Sequence, residues 1–253
     1  LLVAFIKFLW IIYIIKKRNF MKQLITLLLI VTSLIGCSQN SKTIYLDSKK
    51  KIVFRKKKAV YKKNITISKD NKITTSIYDI KTGNLVDKTI EYNQGNSRTE
   101  STFHQNGKIK GETRFKNNSK HGVEKQYDQR GNLISKTHYE NGEKNGKSIK
   151  YFNSGSKKEI TNYKNNKIYG LKISYFQNGN IKDSLSFVND SASGNEVSYY
   201  KNGNINSTCK YVSGKEEGIK LSFYESGVKK DSCNYKKGNV IGESIKWFEN
   251  GDL

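Results

Sequence analysis

The sequence predicts an all-β protein, an elongated single antiparallel sheet of stacked 24-residue β-hairpin repeats. Three observations predict it. Glycine falls at 83, 107, 131, 155, 179, 203, 227 and 251, a constant spacing of 24. Twenty residues after each of these markers except the last comes an aromatic: Phe103, Tyr127, Tyr151, Tyr175, Tyr199, Phe223 and Trp247. Between the markers, apolar and polar residues alternate with a period of two, as they do in a strand with one buried and one wet face. A fixed period between about 20 and 50 residues marks an architecture in which each unit completes its neighbour's core.

Each unit opens on a polar turn such as Gln177-Asn178-Gly179-Asn180. Both residues of Asn-Gly tolerate positive φ, so the pattern predicts a type I′ hairpin turn at the marker. The strand before the turn carries an aliphatic residue eighteen after the previous marker (Ile149, Ile173, Val197, Leu221, Ile245) and then the aromatic. In the strand after the turn, an aliphatic often lies two after the marker (Ile109, Leu133, Ile181, Ile205). A small or β-favouring residue lies six after, and another aromatic eight after (Phe115, Tyr139, Tyr163, Phe187, Tyr211, Tyr235). Even offsets place those three side chains on one face. A second glycine fifteen after the marker, from Gly122 to Gly242, reads as a tight return to the next hairpin. With two strands per unit, repeats advance about 10 Å each. The chain has no proline, which suits a backbone whose N–H groups are needed in ladders. A helical alternative fails, because no i, i+3, i+4 stripe is sustained after residue 40 and glycine is frequent.

The units "YFQNGNIKDSLSFVNDSASG" and "YENGEKNGKSIKYFNSG" resemble the MORN-repeat variant of bacterial proteins, whose units carry an aromatic pair, Asn-Gly, then an aromatic followed by paired glycines. "FKNNSKHG" at 115–122 matches the second half, with His121 where the family often has His before Gly. The resemblance covers 83–251. The first unit departs from it, with Arg98 in place of the second glycine and Tyr92 shifted by one. It implies stacked hairpins and a binding surface; some members are labelled YwqK-type antitoxins.

The chain divides into residues 1–20, a signal at 21–36, a basic linker and N-terminal β cap at 37–82, and repeats at 83–253. From Met21, a lysine, a short apolar run and Leu34-Ile35-Gly36-Cys37 have the form of an export signal. The ending resembles the bacterial lipobox, which implies lipid attachment at Cys37; an uncleaved anchor is the alternative. Residues 1–20 fit either upstream DNA translated in frame or a membrane segment. The expected location is the cell envelope, as a membrane-anchored lipoprotein.

The chain carries +24, and residues 37–82 hold thirteen basic against three acidic residues. In an exported protein this "KKKIVFRKKKAVYKK" segment at 49–63 fits a solvated face, or attraction to anionic lipid beside the anchor, and no nucleic-acid partner is expected. Its alternation also permits irregular strands that cap the first repeat. Cys209 and Cys233 occupy one slot in adjacent repeats, about 10 Å apart, beyond the roughly 7 Å that a disulfide spans.

Nothing in the sequence points to catalysis, a metal or another cofactor. His104, His121 and His138 sit at three phases of the repeat. "GEKNGKS" at 142–148 is one residue short between its glycines for a phosphate loop and leads into a strand. The candidate binding surface is the aromatic row twenty-one after the markers: Phe152, Phe176, Tyr200, Tyr224 and Phe248. It either stacks against a ligand or clamps successive turns together. Two function classes follow, a scaffold for envelope protein partners or a binder of envelope polysaccharide. Choline- and glucan-binding hairpins lean on Trp, and here there are only Trp10 and Trp247, which favours the scaffold. An antitoxin or immunity protein is a third reading.

Overall fold

A computed structural model describes residues 40–53, 58–68, 70, 72–92 and 96–253. Residues 1–36, Cys37 and Phe54 lie outside the described residues. Among the described residues, twenty-one strands form one open antiparallel sheet, as the repeat pattern predicts. The ladder follows the chain, each long strand pairing with the long strands before and after it. The three strands between residues 40 and 79 belong to the same sheet. Asn40–Leu46 pairs with Tyr61–Ile67, which pairs with Ile73–Asp79, which pairs with Leu85–Tyr92. The end of the basic segment runs into the regular strand Tyr61–Ile67.

The unit that follows Gly155 shows how a repeat is made. Lys157–Lys164 leads away from the marker, Lys167–Ile168 and Gly170–Tyr175 return, and the next marker turn spans 176–180. The turn types are exchanged relative to the sequence expectation. At the marker only the glycine has positive φ, +92° at Gly179, while Asn178 stays in the ordinary region. The Gly179 N–H donates to the Phe176 carbonyl at 3.0 Å and the Phe176 N–H donates to the Asn180 carbonyl at 2.9 Å. That is a type I turn followed by a left-handed glycine that makes a bulge. The type I′ turns lie at the opposite edge, where both central residues have positive φ: Asn117-Asn118, Asn141-Gly142, Asn165-Asn166 and Asn189-Asp190.

A second bulge, just beyond the turn, changes which side chains share a face. Ser174 pairs with Asp183, but the next residue, Tyr175, pairs with Ile181, so Lys182 is looped out. The same shift recurs after Gly107, Gly131, Gly155, Gly203 and Gly227. The offset of two is therefore separated from six and eight, contrary to the even-offset rule. Offsets four, six and eight share a face with fifteen, seventeen and nineteen, here called the threonine face. Offsets two, five and seven share the other with sixteen, eighteen and twenty, the aliphatic face. Thr137 bonding Ser148 at 2.9 Å confirms the first set, and Ile149 facing Ile160 confirms the second.

The second glycine also has a different role. It is not in the return turn but stands in the following strand with positive φ, opposite the aromatic at offset eight. Gly146 faces Tyr163, Gly170 faces Phe187, Gly194 faces Tyr211 and Gly218 faces Tyr235. An aromatic opposite glycine covers backbone that would otherwise lie open. In the first unit Arg98 takes the glycine's place, and its guanidinium stacks 4.0 Å from the Phe115 ring centre. Few described side chains are buried: Leu46 and Ser76 in the N-terminal strands, and Thr161 and Cys209 at offset six in the repeats, the last two at 3% and 4% exposed.

Gly194 has φ +112°, and an added Cβ would lie 3.4 Å from Ser186 Cβ. Gly194→Ala is expected to cost about 1–2 kcal/mol, most of it backbone strain. Urea unfolding should show a lower midpoint at unchanged slope; an unchanged midpoint contradicts the assignment.

Candidate binding surface

The row at offset twenty-one supplies the first residue of each marker turn. Where that residue is Asp128, its carboxylate accepts the N–H groups of Arg130 and Asn132, each at 2.8 Å. These backbone bonds, that of Asn132 foremost, hold the Asp128 carboxyl below its usual range. In the later units an aromatic stands there, and the turn is held from neighbouring turns instead. Asn178 and Asn180 both donate to the Lys201 carbonyl, at 3.0 and 2.9 Å, and Asn202 and Asn204 both donate to that of Glu225. The Asn178 side chain also accepts the Asn180 N–H, so the asparagine of Asn-Gly serves both turns.

The aromatic row joins the same ladder. The Tyr200 hydroxyl donates to the Phe223 carbonyl at 2.7 Å and the Tyr224 hydroxyl to that of Trp247 at 2.9 Å. His104, at the same offset in an earlier unit, meets the Tyr127 carbonyl at 2.9 Å. Phe152 and Phe176 have no hydroxyl, and between them lies an open groove of about 650 Å³ lined also by Lys150, Glu159, Lys182 and Lys201. A second groove of about 350 Å³ lies between Tyr224 and Phe248, beside Lys230 and Lys246. Lysine ammoniums sit over two of the rings, Lys158 at 5.7 Å from Phe152 and Lys230 at 5.6 Å from Tyr224. Phe248 is 66% exposed, the most open of the row. The row thus contains both clamping hydroxyls and ring surface open to a ligand.

On the adjoining threonine face the charges pair among themselves. Glu159 lies between Lys150 at 2.9 Å and Lys172 at 3.2 Å. Burial pushes the Glu159 carboxyl up, but the two ammoniums outweigh it and hold the group below its usual range. Lys120 bonds Glu124 at 2.6 Å and lies 4.8 Å from the Tyr139 ring centre. Burial, then the charge of Glu124, pushes the Tyr139 phenol up to about 12, and burial and Glu196 do the same to Tyr211. Cys209 and Cys233 are free thiols on this face, with Lys220 on the strand between them. Burial raises the Cys209 thiol above its ordinary range.

Among the described residues no three of His, Cys, Asp and Glu gather into a metal-binding group, and no helix is long and apolar enough to cross a membrane. His121 Nδ1 is buried without a hydrogen-bond partner. "GEKNGKS" lies in the type I′ turn and the strand Glu143–Tyr151, as its place in the repeat predicts. The exposed apolar side chains of the aliphatic face were missed from sequence. Finding them needs the bulge, which only the register reveals.

The repeats match the MORN repeat variant at residues 99–117, 120–141, 144–165 and 193–213. Four units between residues 99 and 213 thus carry the MORN-variant pattern, and that family is generally non-catalytic and suggests a repeat-based binding scaffold. No curated protein matches it. A solved structure described as "Crystal Structure of TarM" is similar at 16% identity with a TM-score of 0.28. The similarity spans 37% of this chain and 19% of that one, and bears on neither fold nor function.

Two outcomes are expected. Tyr224→Phe removes one clamping hydroxyl and should cost about 0.5–1.5 kcal/mol in urea unfolding, while Phe176→Tyr places a hydroxyl where Tyr200 and Tyr224 carry theirs and should not lower the midpoint. The raised phenols make a separate prediction. An ordinary phenol ionises near 10, so the unfolded chain loses these protons first. Their contribution is complete below pH 10 and is lost as pH rises toward 12. Tyr139→Phe with Tyr211→Phe should flatten that fall relative to wild type.

Proposed function

We propose that this protein is a non-enzymatic lipoprotein of the cell envelope whose repeat array holds protein partners along its length. The observation that carries the scaffold reading is the recurrence of an open aromatic groove at the marker-turn edge, between Phe152 and Phe176 and again between Tyr224 and Phe248. A partner with matching periodicity engages several such grooves at once, so weak contacts add by avidity. The anchor rests on the lipobox-like Leu34-Ile35-Gly36-Cys37, with the basic residues of 49–63 adding attraction to anionic lipid. Polysaccharide is the second reading. It is favoured by the same grooves, in which aromatic rings lie beside the polar side chains of Gln177, Asn178 and Glu159.

Crosslinking in intact cells, followed by capture of the tagged protein, tests the scaffold. A defined protein partner, lost when Phe152 and Phe176 are replaced by Ser in a variant that keeps its β-sheet circular dichroism, supports it. Capture of polysaccharide alone transfers the reading to the glycan. Cys37→Ser should move the protein out of the membrane fraction; an unchanged distribution contradicts the lipid anchor.

A further inference from the structure

The residue looped out beyond each marker turn has no partner across the ladder, and a bulge of this kind re-aims its side chain. In four units that residue is lysine: Lys110, Lys158, Lys182 and Lys230. Elsewhere it is Val86, Ile134 or Asn206. Each of the four lysines lines a groove at the marker edge. The groove of about 650 Å³ combines two of them, Lys158 and Lys182, with two rings of the row, Phe152 and Phe176. Around Lys110 the row supplies His104 and Asp128 instead of rings.

The charge of this ring-lined groove is not cancelled from within. Its lining carries Lys150, Lys158, Lys182 and Lys201 against Glu159. That glutamate is already held by Lys150 at 2.9 Å and Lys172 at 3.2 Å. Asp183, across the ladder from Ser174, accepts the Ser174 hydroxyl at 2.7 Å. Among the described residues no carboxylate pairs with Lys158, Lys182 or Lys201. The groove between Tyr224 and Phe248 is different. There Lys230 and Lys246 stand beside Asp231, with Glu225 and Glu249 in the flanking turns. The unanswered positive charge sits at Phe152 and Phe176.

Spacing selects the form of an acidic occupant. Lys158 and Lys182 are one repeat apart, as are the two rings, and a repeat advances about 10 Å. A polyproline II helix has three residues per turn and rises about 3.1 Å per residue, so every third side chain recurs on one face after about 9 Å. A β-strand puts residues three apart on opposite faces. An α-helix, about 10–12 Å across, is as wide as the spacing of the rings. We propose that the groove between Phe152 and Phe176 binds an acidic polyproline II segment of a protein partner. Carboxylates three residues apart meet Lys158 and Lys182, and the prolines between them lie on the rings. The chain's charge of +24 steers such a segment inward. This assignment rests on the reading of the array as a protein scaffold.

The test is binding of labelled peptides to the full chain in detergent solution, read by fluorescence anisotropy at low and high salt. A peptide of repeating Glu-Pro-Pro should bind, and bind less as salt rises. Repeats of Gln-Pro-Pro, which lose the charge, and of Glu-Pro-Pro-Pro, which lose the spacing, should bind roughly tenfold more weakly. Lys158→Gln with Lys182→Gln should weaken Glu-Pro-Pro binding by a similar factor with unchanged β-sheet circular dichroism, since both sites are exposed. Absence of Glu-Pro-Pro binding, equal binding of either control peptide, or undiminished binding by the lysine variant overturns the proposal. Tighter binding of polygalacturonate than of the peptide also overturns it and assigns the groove to an acidic glycan. A protein partner captured in cells that is lost with the Phe152 and Phe176 replacements but kept with the lysine variant leaves the scaffold standing and removes the acidic segment.

Discussion

The residue looped out after each marker turn governs the rest of this fold. Because Lys182 is skipped when Tyr175 pairs with Ile181, the strand leaving the turn is rotated by half a pleat relative to its even numbering. A side-chain period of two makes register decisive: a one-residue slip exchanges faces. The same slip in successive units keeps the exchange in phase. The outcome is a sheet with two unlike surfaces rather than one core face and one wet face. Threonines, paired charges and the rings at offset eight occupy one, and aliphatic side chains with the rings at offset twenty the other.

Successive units are then locked at both edges by bonds that repeat with the sequence. At the marker edge, asparagine amides and tyrosine hydroxyls reach the carbonyls of the next turn. At the opposite edge, the Asn166 side chain accepts the Lys144 N–H and the Asp190 side chain accepts the Ile168 N–H, again from one unit to its neighbour. Each unit contacts only those beside it, so stability is close to a sum of unit and neighbour contributions. The small buried fraction is consistent with this. Much of the cohesion comes from the ladder and from rings laid over glycine, not from a thick interior.

The architecture was legible from spacing because spacing is all that a stacked hairpin requires. Eight glycines in register placed the turns, and the aromatics at twenty and at eight placed the strands. The errors have two origins, the marker turn and the residue looped out beyond it. Asn-Gly is compatible with a type I′ turn, yet the asparagine here is recruited by the neighbouring turn and only the glycine turns left-handed. Beyond that turn a separate looped-out residue, Lys182, moves Ile181 and Ile173 to the face opposite Leu185. A linear pattern does not encode a looped-out residue. The aromatic row was legible as a row, but its division between clamps and open rings was not. The distinction lies in a single hydroxyl, present in Tyr200 and absent in Phe176, and in where the next carbonyl stands.

The face assignment is the claim from which the scaffold grooves, the lysine-covered aromatics and the exposed aliphatic side chains all follow. Cross-strand disulfide trapping tests it directly, in a chain with Cys37 replaced by Ser and with Cys209 and Cys233 replaced by the threonine that other units carry. Ile173 faces Ser184, and Leu185 faces Lys172 on the other side of the sheet. Under mild oxidation, cysteines at 173 and 184 should link, whereas cysteines at 173 and 185 should stay free. Linkage of 173 to 185, with 173 and 184 left unlinked, would place the aliphatic and threonine rows on one face and contradict the account.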